Sequence, residues 1–170
     1  IAQMLTFSRT QTETSNTEVP ITLVTPVIKE VVAMLRSSIP SSIDLNYQTS
    51  DPDLKARIQP VNLHQIILNL TVNARDAMGE YGRIDIKISK HTVLDQLCAS
   101  CRLAFSGNFI KISVTDTGSG IDGHLLQNIF NPFFTTKEVG KGTGMGLSVV
   151  HGLVHTLGGH IEVESTLKKG

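Results

Sequence analysis

The sequence lacks tryptophan, has only two tyrosines and two cysteines in 170 residues, and carries a formal net charge of zero. Balanced charge excludes the strongly basic surface that is typical of nucleic-acid-binding proteins. Cys98 and Cys101 are too few for a disulfide-stapled scaffold, which favours a reducing compartment. No apolar run approaches the roughly 18 to 20 residues of a membrane span, and no signal-peptide pattern opens the chain. We therefore expect a soluble, cytoplasmic piece that contacts neither nucleic acid nor membrane.

With 40% hydrophobic residues, the chain is long enough for one globular domain. Its opening, IAQMLTFSR, has helical spacing, and the polar stretch TQTETSNTEVP that follows has the composition of a linker. We interpret residues 1–20 as the tail of a helix plus a linker, and residues 21–170 as the domain. Because the first residue is not methionine, we expect a piece of a longer protein.

The hydrophobic periodicity predicts helices and strands in an irregular order. Helices are predicted over 26–38, 60–79 and 145–157, and strands over 42–49, 83–93, 108–116 and 159–165. Two predicted strands follow each other directly, so the order lacks a βαβ rhythm. The pattern favours an α+β fold, a two-layer α/β sandwich, over a doubly wound parallel sheet.

The helix NLHQIILNLTVNARDAM carries polar residues beside its apolar stripe. At helical spacing Asn69, Asn73 and Asp76 lie within roughly 60° of each other. Asparagine is a poor helix former, and its amide oxygen suits Mg²⁺ that is shared with a nucleotide phosphate. A solvated helix face with ordinary Asn and Asp explains this helix equally well.

Two glycine clusters flank an apolar stretch, NPFFTTK. GSGIDG at 118–123 matches a dinucleotide-binding turn, but the helix, second strand and acidic residue of that fold do not follow it. GKGTGMGLS at 140–148 lacks the spacing of a phosphate loop. It can instead lead into a helix N-terminus, where free backbone N–H groups attract phosphate.

Asp116 ends a predicted strand just before the first glycine cluster. A carboxylate there can accept a hydrogen bond from an exocyclic amine such as adenine N6, and small glycines let a flat base approach the backbone. Taken alone, Asp116 is equally well explained as a residue that starts a turn.

NLTVNARDAM, DTGSGI, IFNPFFTTK and GKGTGMGLSVVHGLVHTLGGHIEVES resemble, in this order, the four boxes of the catalytic ATP-binding domain of sensor histidine kinases. That superfamily includes DNA gyrase, the ninety-kilodalton chaperone and mismatch-repair ATPases. The resemblance implies a Bergerat-type ATP-binding fold, with a mixed sheet covered on one face by helices. It also implies ATP and Mg²⁺ as ligands, and glycine clusters that bracket a mobile lid.

The resemblance assigns roles residue by residue. Asn73 is similar to the residue that binds Mg²⁺, and Asn69 is similar to the residue that supports it on the side of the phosphates. Both resemble catalytic residues of the family. Asp116 resembles the acid that reads adenine. The remaining positions implied for ATP binding are Asp76, Gly118, Gly120, Ile121, Phe130, Lys137, Lys141, Gly142, Thr143, Gly144, Met145, Gly146 and Leu147.

Within that set the glycines and phenylalanines resemble parts of the lid. Gly118 and Gly120 look like its first hinge, and the glycines at 142, 144 and 146 like the hinge on the phosphate side. Phe130, Phe133 and Phe134 resemble its apolar anchor. Lys137 and Lys141 are candidates for phosphate contacts.

The chain departs from the family pattern at two points. Asp76 stands where many histidine kinases have a basic residue, with Arg75 beside it. None of the six histidines precedes an acidic residue, which the family's phosphoacceptor usually does. The acceptor is therefore expected in an upstream dimerisation domain of a homodimeric full-length protein, for which the resemblance also allows a membrane anchor.

The resemblance implies a protein-histidine kinase that phosphorylates this external histidine and then a response-regulator aspartate. The alternatives are a hydrolytic ATPase or protein serine kinase of the same superfamily, and a nucleotide-binding regulatory module without catalysis. They separate at position 69, because the hydrolases have a glutamate base there and the amide of Asn69 cannot take up a proton near neutral pH.

Two further patterns are weak indications of chemistry. His151 and His155 have the spacing of a metal pair but lack the glutamate of H-E-x-x-H. The C-A-S-C stretch is a single cysteine pair, whereas a structural zinc site needs four ligands. An ordinary hairpin or loop, a redox-sensitive pair and a shared metal site remain open for it.

Overall fold

A computed structural model describes residues 19–137 and 142–170. The elements, in chain order, are β1 (Ile21–Leu23), α1 (Val24–Ser38), β2 (Ile43–Thr49), β3 (Lys55–Arg57), α2 (Pro60–Ala77), β4 (Gly82–Leu97), β5 (Ala104–Asp116) and α3 (Gly146–Thr156). The division of the chain at residue 20 stays a prediction, because residues 1–18 lie outside the described part.

The main sheet has three strands in the order β2-β4-β5. β2 runs parallel to β4, and β4 runs antiparallel to β5, so the sheet is mixed. A second, two-stranded sheet pairs β1 with β3. This arrangement confirms the predicted α+β class with a mixed sheet.

The core lies between one face of the sheet and the helices. Along β4, Ile84, Ile86 and Ile88 are buried, while the intervening Asp85 is half-buried and the intervening Lys87 is exposed, as the two-residue period of a strand requires. The helices contribute buried residues at helical spacing to the same core cluster, which includes Ile28, Val31, Val32, Leu35, Leu63, Ile66, Ile67, Ala74 and Val150. The two-layer arrangement follows from this one-sided burial.

The β4–β5 hairpin is longer than predicted. Its strands extend to Leu97 and begin again at Ala104, with an irregular register between Val93 and Gln96. Residues 94–107, which lie between the two predicted strands, thus form the distal part of this hairpin. A local irregularity shifts the side-chain alternation, which is why the period was not readable there.

The strand predicted over 159–165 is wrong, because the structure has no strand in that segment. Its backbone groups bond elsewhere: Ile161 N–H points to Cys98 Sγ at 3.4 Å, and Ile161 C=O accepts from Ala99 N–H at 2.7 Å. Glu162 reaches β5 only through its side chain, which pairs with Lys111. Alternation alone could not reveal that the backbone of Ile161 is occupied by the hairpin turn.

Across residues 19–137 and 142–170, no helix combines the length and the apolar character needed to cross a membrane.

Candidate functional site

The polar face of α2 meets the first residue of α3. Gly146 opens α3, and a methyl group at this position would lie 3.3 Å from Asn73 Nδ2 and 3.4 Å from Asn69 Oδ1. Both asparagines are half-buried. The structure therefore brings together the two amides and the second glycine cluster, which are far apart in the sequence.

The start of α3 has no side-chain cap in the part of the chain that the structure describes. Its N-cap, Met145, donates its N–H to Thr143 Oγ1 at 3.3 Å, so this threonine serves the turn before the helix. The first N–H groups of a helix have no acceptor within the helix and carry its positive dipole end. Facing the two amides, this end can bind an anion such as a phosphate group.

The glycine cluster before α3 packs against the segment that follows the phenylalanines. Gly144 has φ +64, and a Cβ there would lie 2.4 Å from the backbone carbon of Phe133. A Cβ at Gly142 would lie 2.9 Å from Lys137 Cδ. A side chain at position 144 would displace the backbone of Phe133, whereas one at position 142 would displace the side chain of Lys137.

Asp76 joins α2 to Lys137. Lys137 Nζ donates to Asp76 Oδ2 at 2.7 Å, and Arg75 donates to Oδ1 through Nη2 at 2.7 Å and Nε at 3.0 Å. Partial burial by itself raises the pKa of the Asp76 carboxyl, but the hydrogen bonds from Lys137 and Arg75 outweigh it and lower this pKa. The ionised carboxylate thus holds Lys137 against α2, three residues after Asn73 along the helix.

Asp116 ends β5 and starts the turn that packs on the end of α2. Its Oδ1 accepts the N–H of Gly118 at 2.8 Å. Gly118 is buried, and a Cβ there would lie 2.7 Å from the carbonyl oxygen of Ala77. The turn-starting role of Asp116 is therefore present in the structure, and a nucleotide-reading role would use the rest of the same carboxylate.

The first glycine cluster lies against the residues that follow α3. Ile121 N–H donates to Ser165 Oγ at 2.8 Å. Gly120 has φ +67, and a Cβ there would lie 2.2 Å from the carbonyl oxygen of Thr166. This close backbone approach requires a glycine.

The three phenylalanines expected to anchor a lid differ in burial. Phe130 is buried, with its ring centroid 6.1 Å from that of His151 on α3, and Phe134 is half-buried. Phe133 is 65% exposed and has a positive φ of 66°, so its expected role as an apolar anchor is wrong. The backbone of Phe133, and not its ring, packs against Gly144.

Two other sequence-predicted residues complete the comparison. Leu147 lies in the first turn of α3 and is half-buried. Lys141, a candidate phosphate contact, lies outside the described residues, as does the opening IAQMLTFSR.

A separate cleft of about 380 Å³ lies beyond the Thr49–Ile88 end of the β2–β4 pairing. It is lined in part by Asp51, Lys90, His91 and Phe109. Lys90 Nζ is 2.8 Å from Asp51 Oδ2, so these two charges neutralise each other. The cleft shares no residue with the asparagine site.

A second polar cluster escaped the sequence reasoning. Cys98 and Cys101 lie close to His160, and their ligand atoms are all within 4.8 Å of one another. The cysteines and the two helical histidines belong to recognisable sequence patterns, but His160 does not. Only the C-x-x-C spacing is a local signal, since the other contacts join distant parts of the chain.

Residues 58–170 match the family described as "Histidine kinase-, DNA gyrase B-, and HSP90-like ATPase". The chain is 35% identical over 170 residues to the sensor kinase CckA of Brucella abortus (strain 2308), covering 100% of this chain and 18% of that protein. It is 40% identical over 128 residues to the sensor histidine kinase ZraS of Escherichia coli (strain K12), covering 75% of this chain and 24% of that protein. The chain thus spans less than a quarter of the length of these relatives.

Solved structures resemble the fold over most of the chain. The catalytic domain of the histidine kinase ThkA, nucleotide-free, matches with a TM-score of 0.65 and 28% identity, covering 83% of this chain and 82% of that one. ThkA in complex with the response regulator protein TrrA matches with a TM-score of 0.61 and 25% identity, covering 93% of this chain and 42% of that one.

Proposed function

Because the chain belongs to the family of histidine kinase-, DNA gyrase B- and HSP90-like ATPases, we propose that it is the ATP-binding catalytic domain of a sensor histidine kinase. It would transfer the γ-phosphate of ATP to a histidine on a separate dimerisation domain, and from there to a response-regulator aspartate. The observation that carries this proposal is the meeting of the Asn69 and Asn73 amides with the uncapped start of α3.

The donor set at this meeting point suits Mg²⁺ and a phosphate chain. Asn73 would offer its amide oxygen to the ion, and Asn69 would orient the phosphates from one helical turn earlier. Mg²⁺, when bound, would neutralise the charge that develops on the transferred group. The first N–H groups of α3 would bind phosphate oxygens, and Lys137 would exchange its bond to Asp76 for one to phosphate.

The adenine end of the nucleotide would lie at the turn that follows β5. Asp116 would accept a hydrogen bond from N6 while its Oδ1 continues to hold the Gly118 N–H. Residues 121–137, with Phe130 packed near His151, would form the lid between the two glycine clusters. Lid closure excludes water from the site, which strengthens these polar contacts.

Position 69 favours phosphoryl transfer over hydrolysis. A hydrolase needs a base that takes a proton from water, and an amide cannot do this near neutral pH. The sensor kinases to which the chain is 35% and 40% identical support the same choice. We also propose that the whole protein acts as a cytoplasmic homodimer, whose response-regulator partner is suggested by the ThkA complex.

The test is to incubate a longer form of the protein, including the segment upstream of residue 1, with ATP labelled at the γ-phosphate. Phosphohistidine is labile to acid and stable to base, whereas phosphoserine has the opposite behaviour. We expect label that is lost in acid and retained in base, and that moves to a response regulator. Acid-stable label would support the serine-kinase alternative, and steady phosphate release without label would support the ATPase.

A further inference from the structure

The cysteine–histidine cluster lies at the far end of α3 from the asparagine site. Cys98 and Cys101 belong to the turn of the β4–β5 hairpin, His155 lies in the last turn of α3, and His160 follows that helix. From Gly146 to His155 the helix rises roughly 14 Å at 1.5 Å per residue. The cluster is therefore spatially separate from the asparagine site.

The three atoms that could bind a cation already converge. The thiol sulfurs of Cys98 and Cys101 and a ring nitrogen of His160 all lie within 4.8 Å of one another. In a tetrahedral zinc site, with bonds of about 2.3 Å to sulfur and about 2.0 Å to nitrogen, ligand atoms lie roughly 3.3 to 3.8 Å apart. Small side-chain rotations would shorten the present separations to these values and let all three atoms bind one ion.

A fourth donor stands beside them. His155 Nε2 lies 3.9 Å from Cys98 Sγ and 2.8 Å from Ser100 Oγ. The first distance is close to the spacing of two ligands on one tetrahedral ion. A small turn of the imidazole from Ser100 toward the sulfur would complete a Cys₂His₂ set.

The surroundings hold these donors in place. The His160 ring stacks on Phe105, with centroids 4.2 Å apart, and meets Phe109 edge-on at 6.0 Å. Cys98 is completely buried, and its sulfur lies 3.4 Å from the N–H of Ile161. Backbone N–H groups directed at a thiolate are typical outer-shell partners of a metal-bound cysteine.

His160 Nδ1 is buried without a hydrogen-bond partner in the described part of the chain. A buried polar atom without a partner is costly, which calls for an explanation at this position. A disulfide between Cys98 and Cys101 would leave the converging His160 without a role. A cation bound by both thiolates and the imidazole explains why the ring converges on the two thiols, so the geometry favours metal over a redox pair.

We propose that Cys98, Cys101 and His160, completed by His155, bind one zinc ion or a similar thiophilic divalent cation. Two thiolates and two neutral imidazoles balance the charge of such an ion and match its preference for sulfur and nitrogen ligands. The ion would tie the hairpin turn to the segment after α3, where residues 159–165 form no strand of their own. Its role would be structural, because four protein ligands leave no open position for substrate.

The test is a cobalt titration of the reduced protein, purified without a histidine tag, followed by competition with zinc. Tetrahedral cobalt bound to thiolate gives a charge-transfer absorption that saturates at one ion per chain if the site exists. We expect Cys101→Ser and His160→Gln each to weaken cobalt binding on the order of 100-fold, and His155→Ala about tenfold. His124→Ala, which removes an exposed histidine outside the cluster, should bind as the wild type does.

Folding is monitored separately by circular dichroism, and Cys101→Ser is the safer cysteine variant because Cys101 is only partly buried. The metal should also raise the thermal midpoint of the wild type and leave that of folded His160→Gln unchanged. Absence of a thiolate charge-transfer band would overturn the proposal. So would unchanged affinity in folded His160→Gln, or a mass showing that Cys98 and Cys101 are joined as a disulfide in the freshly purified protein.

Discussion

At the scale of single residues, Asn73 is the proposed Mg²⁺ ligand of the site. Its amide end lies at the start of α3, where a shared Mg²⁺ would join protein and phosphates. We expect Asn73→Ala to weaken ATP binding at least about tenfold with Mg²⁺ present, and much less in EDTA, because only the metal-mediated contact is lost.

Isothermal titration calorimetry with and without Mg²⁺ measures this difference. Asn62→Ala is a matched control, since Asn62 lies in the first turn of the same helix, outside the asparagine pair. An equal loss of affinity in both conditions would mean that Asn73 only packs against α3.

Asp116 should determine which base is accepted. Adenine presents an N6 donor to the carboxylate, whereas guanine presents its O6 acceptor, and a buried mismatch of this kind costs on the order of 1 to 3 kcal/mol. We expect ATP to bind at least about tenfold more tightly than GTP, and Asp116→Asn to reduce this preference because an amide can also donate.

The preference is measured by competition of both nucleotides against a fluorescent ATP analogue. Asp44→Asn serves as the control, because Asp44 is exposed on β2, away from the turn that follows β5. Equal affinities of the wild type for ATP and GTP would remove Asp116 from the adenine-reading role.

At the scale of elements, the contact between α2 and α3 depends on glycine at position 146. A methyl group there would press on both asparagine amides at 3.3 and 3.4 Å, so the amides must shift by a few tenths of an ångström. We expect Gly146→Ala to weaken Mg²⁺-ATP binding about tenfold, because bound phosphate requires these groups at defined positions.

Gly152→Ala is the matched control on the same helix. Gly152 is exposed in the middle of α3, with nothing within 4 Å of an added Cβ. Alanine there should raise stability by about 0.5 to 1 kcal/mol, through lower backbone entropy of the unfolded chain, and leave nucleotide affinity unchanged. Thermal melts and calorimetry of both variants separate the two effects. If Gly146→Ala bound Mg²⁺-ATP as tightly as the wild type, phosphate would not bind at this end of α3.

At the scale of the whole molecule, nucleotide binding and chemistry should be separable. The proposed acceptor histidine lies on another domain, and phosphoryl transfer requires an acceptor in line with the γ-phosphate. Asn69 leaves bound water without a base. We expect residues 1–170 alone to bind ATP in the micromolar range, to show no self-labelling, and to release phosphate near background.

A coupled phosphate-release assay measures this turnover, with denatured protein as the blank. Steady hydrolysis at about one turnover per second or faster, as in typical enzymes, would contradict the kinase proposal and support the ATPase alternative. For the candidate metal cluster we expect a different effect: loss of its metal should change thermal stability and leave nucleotide affinity intact.

The sequence by itself determined the features that depend on local periodicity and on ordered motifs. The helical period places Asn69 and Asn73 on one face of α2, since their separation is one turn of the same helix. The alternation in β4 predicts the burial of its isoleucines for the same local reason. Four ordered boxes indicated the family, and the match over residues 58–170 confirms it.

Only the tertiary structure decided which distant segments meet. The asparagines face Gly146, and Lys137 reaches Asp76, because packing of α2 against α3 and the intervening segment brings them together. The contact of Cys98 with His155 joins residues that lie 57 positions apart in the sequence, so no local spacing encodes it. Residues 159–165 alternate like a strand but form none, because a strand needs partners for its backbone groups, and the hairpin turn takes those of Ile161.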